Sequence, residues 1–152
     1  MKEHRRTAAN FLKEYRKLRD NEKIIREQMF QTERMLNSLR ISNPASVPNF
    51  GGGSRYEDFL VTQISKKDEL RLRLVIVTSR QETIKRIVGV LLGKERKVIE
   101  RFFIEGEAAG AAEDLMESLM LEKSQIYRLK DSALDKIYTC IMGCPGLICG
   151  LE

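Results

Sequence analysis

The chain has 152 residues, of which 42% are hydrophobic and 32% are charged, and its formal net charge is +5. This balance is too apolar for a disordered chain and too charged for a membrane protein, and no run reaches the roughly 18 to 20 apolar residues that a spanning helix needs. The basic start has no apolar run behind it and predicts no secretory signal, so we expect a cytoplasmic protein that does not bind membranes.

The residues best suited to catalysis or metal binding are few and poorly placed. The three cysteines, Cys140, Cys144 and Cys149, lie near the C-terminus in no standard zinc spacing, and their odd number does not predict a disulfide framework. The one histidine, His4, lies in an N-terminus that we predict to be frayed. Gly51–Gly53 lacks the strand and the lysine of a phosphate-binding loop. We therefore predict no enzyme activity, no cofactor, no metal ion and no small-molecule substrate.

Two long segments have the apolar period of a helix. Residues 7–40 and 55–92 each repeat apolar residues at alternating steps of three and four, which is the pattern of a coiled-coil seam. Between them, residues 41–54 include two prolines and three consecutive glycines, which cannot continue a helix. We predict that residues 1–93 form a long antiparallel helical hairpin with a flexible loop at about 41–54.

The second of these helices is apolar beyond its seam. It carries a second stripe of Leu72, Ile76, Ile87 and Val90, with Val75 and Leu92 beside it. Large exposed apolar patches are unusual on monomers, so we expect the helix to pack on the C-terminal domain and to pair with another copy of the chain. The alternative is a set of scattered apolar surface residues. The stripe therefore predicts a homo-oligomer, in the simplest case a dimer.

Residues 94–139 break into three shorter helices. The pattern predicts them at Lys94–Ile104, about 112–120 and 123 to about 138, with a tight turn at Met120–Glu122. The third helix has one apolar face, formed by Ile126, Leu129, Ala133, Leu134 and Ile137. A short helix, a tight turn and a longer helix are typical of a helix-turn-helix. We predict an all-α fold, in which the hairpin precedes a three-helix helix-turn-helix domain and an apolar, cysteine-containing tail follows at 140–152.

The third helix carries the candidate site. When its apolar face is buried, its first two turns present six residues to solvent: Lys123, Ser124, Gln125, Tyr127, Arg128 and Lys130. Arginine and lysine suit guanine, glutamine suits adenine, and serine suits a phosphate or either base. These residues predict an interface with double-stranded DNA. The alternative is a solvated polar face on a plain three-helix bundle, which the acidic excess of residues 94–139 favours.

The segments Glu95–Gly106 and Ser124–Leu129 resemble region 4 of bacterial sigma factors. The chain is most similar to phage regulators related to the autolysin regulator ArpU and the late-gene activator RinA, and the resemblance extends upstream to the two long helices and the loop between them. It implies a sequence-specific DNA-binding transcriptional regulator, encoded by a phage or prophage and acting on late genes. The chain departs from the family at the turn, where Met120–Glu122 replaces the usual glycine, aromatic residue and serine.

A second function class stays open. In that alternative the hairpin is a coiled-coil interaction arm, and the three-helix domain of a non-DNA adaptor docks on a protein such as RNA polymerase. The altered turn and the acidic residues of the second short helix leave room for a protein that keeps the scaffold but binds DNA weakly, or only as an oligomer. A DNA-binding protein would lose affinity steeply as salt rises, which separates the two.

Overall fold

The computed structural model describes residues 2–41 and 53–144, and all of their regular secondary structure is helical. The elements are α1 (Glu3–Ile41), α2 (Gly53–Gly89), α3 (Gly93–Ile99), a π-helical segment (Glu100–Ile104), α4 (Ala111–Leu119) and α5 (Lys123–Met142). The described part of the chain has no strand, which confirms the all-α fold class. None of its helices is both long and apolar enough to cross a membrane.

Two predicted segments lie wholly or partly outside this description. The predicted loop at about 41–54 falls almost entirely on residues 42–52, which are outside the described residues. The predicted tail at 140–152 is described only as far as 144, and its first five residues complete α5 and the turn that follows it. Cys140 is half-buried and Cys144 is exposed, and neither is in a disulfide bond.

The chain divides into two compact units. We call Met1–Leu18 together with Arg80–Glu152 the core unit, and Arg19–Ser79 the two-helix unit. This division differs from the boundary between residues 93 and 94 that the sequence suggests. The reason is that the first turns of α1 and the last turns of α2 contribute buried residues to the same apolar cluster as α3, α4 and α5.

The apolar cluster of the core unit draws on every helix. Its fully buried large side chains are Phe11, Leu12, Ile84, Leu91, Val98, Ile99, Ile126, Leu134, Ile137 and Ile141. The predicted inner face of α5 is buried except at Leu129, which is half-buried. Ile87, which the sequence assigned to the second apolar stripe of α2, is also buried here. Each large apolar side chain contributes about 1.5 to 3 kcal/mol when it is removed from water.

The N-terminus of α1 is held by charge, so the prediction of a frayed end at His4 is wrong. The Arg5 guanidinium donates to both carboxylate oxygens of Asp135, over 2.7 and 2.6 Å, and to Asp131 over 2.7 Å. His4 Nε2 lies 2.8 Å from Asp135 Oδ1, and its ring packs 5.5 Å from the ring of Tyr138. The hydrogen bond from Arg5 holds the pKa of Asp135 at about 2, below its usual 3.8.

The predicted first short helix is not α-helical throughout. Its second half widens into the π-helical segment, in which the Glu105 N–H donates to the Glu100 carbonyl over 2.7 Å. Arg16 of α1 donates to the Phe102 carbonyl over 2.9 Å. A widened turn weakens the regular hydrogen-bond ladder, and the guanidinium supplies a donor to one of its carbonyls.

Within the two-helix unit, α1 and α2 run in opposite directions. Late residues of α1 contact early residues of α2: Tyr56 donates its hydroxyl hydrogen to the Leu39 carbonyl over 3.1 Å, and Lys67 pairs with Glu33 over 2.7 Å. Thr32 is buried between them, and its hydroxyl donates to the Gln28 carbonyl over 2.8 Å. This polar residue therefore satisfies its hydrogen bond within its own helix.

Two phenylalanines of α1 test the division into units. Phe11 is 0% exposed in the core unit, whereas Phe30 is 57% exposed in the two-helix unit. Phe11→Ala should lower the free energy of unfolding by about 3 to 5 kcal/mol because it leaves a cavity, and the matched control Phe30→Ala should cost less than about 1 kcal/mol. Urea unfolding followed by circular dichroism measures both. Equal effects would show that the start of α1 does not belong to the core.

The ion pair between Arg5 and Asp135 predicts a dependence of stability on acid. The folded state lowers the pKa of Asp135 from 3.8 to about 2, so the pair stabilises the fold above about pH 4, and this stabilisation is lost as the pH falls toward 2. Asp135→Asn should lower the free energy of unfolding at neutral pH. It should also reduce the further loss of stability between about pH 4 and pH 2. Solvent screening keeps the effect modest. Urea unfolding at several pH values measures it, and Asp20→Asn, an exposed aspartate of α1, should leave the profile unchanged.

Candidate nucleic-acid interface

Three residues turn the chain between α4 and α5. Met120 adopts the left-handed conformation (φ 51°, ψ 48°) and is the one non-glycine residue with positive φ in the described ranges. Leu121 is half-buried against the core and donates its N–H to the Met116 carbonyl over 3.3 Å. Glu122 is extended and precedes the first turn of α5. The turn thus forms without the glycine that its first position favours, at a cost of about 1 to 2 kcal/mol.

The six predicted site residues lie together on the first two turns of α5. Lys123, Ser124, Gln125, Tyr127 and Arg128 are exposed, and Lys130 is half-buried. Ile126 is fully buried and Leu129 is half-buried, so the inner face of the helix is fixed by the core. This anchoring leaves the outer face of the first two turns open to solvent. The six side chains on that face differ, however, in how far each is already bonded to other groups of the protein.

Gln125 is used at the helix N-terminus. Its side-chain oxygen accepts a hydrogen bond of 3.1 Å from the backbone N–H of Glu122. The start of a helix leaves backbone N–H groups without helical partners, and such a bond satisfies one of them. A bidentate contact with adenine needs both the oxygen and the NH₂ group of the amide. The base contact predicted for Gln125 would therefore require the capping bond to break.

Lys130 packs against aromatic rings instead of extending into solvent. Its ammonium lies 4.5 Å from the centroid of Phe102, 5.4 Å from that of Tyr127 and 5.8 Å from that of Phe103. Burial lowers the pKa of Lys130, against the raising effect of Asp131. An ammonium over ring faces is attracted by their negative charge density. Lys130 therefore helps to hold Tyr127 in position, and its ammonium is less accessible to a ligand than an extended lysine would be.

Lys123 is paired, but weakly. Its ammonium lies 3.3 Å from the carboxylate of Glu113 at the start of α4, and both side chains are more than half exposed. Exposed pairs of this kind contribute less than about 1 kcal/mol, so the lysine can exchange its carboxylate partner for another anion. On the same helix Asp114 is paired with Arg101, which also donates to the Glu107 carbonyl over 2.8 Å. Two of the acidic groups of α4 are thus partly neutralised.

A basic residue that the sequence did not single out lies beside α5. Lys94, in the first turn of α3, lines a shallow depression of about 380 Å³ together with Leu121, Gln125, Arg128 and Leu129. Within the described ranges, neither Lys94 nor Arg128 has an ion-pair or hydrogen-bond partner. The two cations therefore flank one open surface at the N-terminal half of α5. No local pattern marks Lys94, because only the packing of α3 on α5 brings it there.

The left-handed residue of the turn gives a direct test of this geometry. Met120 is 92% exposed, so replacing it removes strain without loss of packing. Met120→Gly should raise the free energy of unfolding by about 0.5 to 1 kcal/mol, since relief of strain exceeds the added entropy of the unfolded chain. The control Glu117→Gly, at an exposed helical position of α4, should lower it by about 1 kcal/mol. Thermal or urea unfolding measures both. Destabilisation by Met120→Gly would show that the turn has another conformation.

Comparison of the chain with protein-family models, with curated proteins and with solved structures found no significant match. The resemblance to region 4 of sigma factors and to the ArpU and RinA regulators stays a prediction from the sequence.

Proposed function

We propose that this chain is a sequence-specific double-stranded DNA-binding protein whose α4, turn and α5 form a helix-turn-helix. The observation that carries the proposal is the turn: three residues, the first of them left-handed, connect nine-residue α4 to twenty-residue α5. A short turn between two such helices is typical of this motif, and the second helix enters the major groove with its N-terminal residues toward the bases. In α5 that segment, residues 123–130, carries three basic groups and no acidic group.

The surroundings of each side chain indicate which contact with DNA we assign to it. Arg128 is exposed and unpaired within the described ranges, and it is the residue that we assign to a base edge, with guanine as the preferred partner. Ser124 and Tyr127 are exposed beside it and can donate to bases or phosphates. Lys123 and Lys94 are the phosphate contacts. The sequence also assigned Gln125 and Lys130 to the interface, but in this proposal they support it indirectly. Gln125 accepts the capping hydrogen bond at the start of α5, and Lys130 packs against the aromatic rings.

A role in transcription is supported by the resemblance to sigma region 4 and to phage late-gene regulators. In this proposal the first 93 residues act as the antiparallel helical hairpin of those regulators, and residues 94–139 act as their DNA-binding domain. The opposite directions of α1 and α2 within the two-helix unit support the first assignment.

The charge of the domain sets what affinity to expect. Residues 94–139 carry eight basic and ten acidic groups, so general attraction to DNA is weak. The two phosphate contacts of Lys94 and Lys123 predict a slope of log affinity against log salt near −2 for one chain. Binding should therefore be measured at low salt first, where it is strongest.

The proposal is tested by fluorescence anisotropy with duplexes of about 30 base pairs, first a mixed-sequence pool and then sequences selected from it, at about 50 to 200 mM salt. Arg128→Ala should weaken binding to the selected sequence by about 1 to 3 kcal/mol and reduce its preference over the pool. Lys94→Ala should weaken binding to all duplexes alike and reduce the salt slope by about one unit. Lys17→Ala, an exposed lysine of α1, is the matched control and should bind as the parent does.

Two outcomes contradict the proposal. If the parent protein binds no duplex at the lowest salt, the adaptor alternative takes its place. If the parent binds but Arg128→Ala and Lys94→Ala change nothing, α5 is not the reading helix. Circular dichroism of each variant establishes that it is folded, and because both side chains are exposed, their removal should leave the melting temperature within a few degrees of the parent's.

A further inference from the structure

Both acidic residues of α5 are bonded to one arginine of α1. Asp131 and Asp135 lie three and seven positions beyond Arg128, and their side chains are 46% and 40% exposed. The Arg5 guanidinium donates to Asp131 over 2.7 Å and to both carboxylate oxygens of Asp135. A single cation from the start of α1 therefore opposes the negative charge of both groups on the helix that carries the candidate interface.

Arg128 and Asp131 have the spacing of an ion pair, but they do not pair. Residues three apart on a helix are neighbours on its surface, and opposite charges at that spacing attract each other. Both side chains line one open depression of about 470 Å³, together with Arg5. Asp131 is bonded to Arg5, whereas Arg128 has no ion-pair or hydrogen-bond partner among the described residues. The bond from α1 thus occupies a carboxylate that could otherwise bind Arg128.

The other cations near Asp131 on α5 are already engaged. Lys136, which also lines the depression, lies 2.7 Å from a carboxylate oxygen of Glu95 in α3. Lys130, next to Asp131 in the chain, lies over the aromatic rings described above. Of the cations of α5, Arg128 is the one with no partner among the described residues. It is therefore the group that Asp131 would bind once its bond to α1 is removed.

We propose that Arg5 is a positioning residue for the candidate interface: by binding Asp131, it keeps the guanidinium of Arg128 free for a ligand. The first turn of α1 is then part of the interface, although it lies at the other end of the chain. The inference rests on the proposed function for the identity of that ligand, which is DNA. The state of Arg128 itself is measured without nucleic acid, so the inference and the proposed function can fail separately.

Nuclear magnetic resonance of the full chain without DNA tests whether Arg5 keeps Arg128 free. In the parent, the Nε–H bond of Arg128 should have the low order parameter of a mobile group, below about 0.6. Arg5→Met should raise this order parameter, because Arg128 then pairs with Asp131, and Arg5→Met/Asp131→Asn should lower it again. Lys2→Met is the matched control: Lys2 is an exposed cation of the same terminus, and its loss should leave Arg128 unchanged.

Two results of this measurement overturn the inference. One is a parent in which Arg128 is already rigid, and the other is a folded Arg5→Met variant in which Arg128 stays mobile. Circular dichroism shows whether Arg5→Met is folded. If it is not, Arg5→Gln takes its place, because the glutamine amide still donates to one carboxylate but carries no charge.

Titration with the selected duplex tests the consequence for binding. Arg5→Met should weaken binding by about two- to fivefold, which is the range that competition from an exposed ion pair allows. Addition of Asp131→Asn should restore most of this loss. Addition of Asp135→Asn removes the same charge but should restore less, because Asp135 lies about two helical turns from Arg128.

The outcomes of the titration separate the two proposals. An Arg5→Met variant that binds as the parent does, or equal rescue by Asp131→Asn and Asp135→Asn, overturns the role of Arg5 in binding. A parent that binds no duplex overturns the proposed function instead. In that case the order parameter of Arg128 still decides whether Arg5 keeps it free.

Discussion

The core unit depends on the burial of residues from the two ends of the described chain in one apolar cluster. Helices as short as α3 and α4 are not stable alone in water, because the hydrogen bonds of two turns do not offset the entropy of ordering them. Phe11 and Leu12 of α1 and Ile84 and Leu91 of α2 supply fully buried side chains to the cluster that holds these helices. The long helices are thus part of the domain that carries the candidate site.

This shared core also decides which polar groups of α5 are available to a ligand. The helix is fixed along its inner face, while Arg5 binds Asp131 and Asp135 at its middle. Near its start, Gln125 completes the cap and Lys130 lies on the ring of Phe102. Side chains that hold the scaffold in this way are costly to redirect, because their bonds must first be broken. Among the described residues, Arg128 of α5 and Lys94 of α3 have no ion-pair or hydrogen-bond partner, and they line the same shallow depression.

The sequence by itself determined the helices of this protein, and tertiary packing decided how they are used. Apolar periodicity and the positions of glycine and proline placed each helix to within about one turn, because both act over a few neighbouring residues. The same periodicity located the exposed face of α5 and the apolar excess of α2. It could not show that Phe11 and Ile84 enter the same cluster as α5, or that the terminus at His4 is bound. Those contacts join residues far apart in the chain.

The candidate site shows the same limit. Residue type and helical phase selected all six side chains on α5, but they could not separate those that bind the scaffold from those that are free. Gln125 is engaged by a backbone group and Lys130 by rings of the π-helical segment, and the widening of that segment has no signal in the apolar period. Lys94 joins the surface only because α3 packs on α5. Sequence patterns record which groups a helix presents, whereas the partner of each group depends on distances that exist only after the chain has folded.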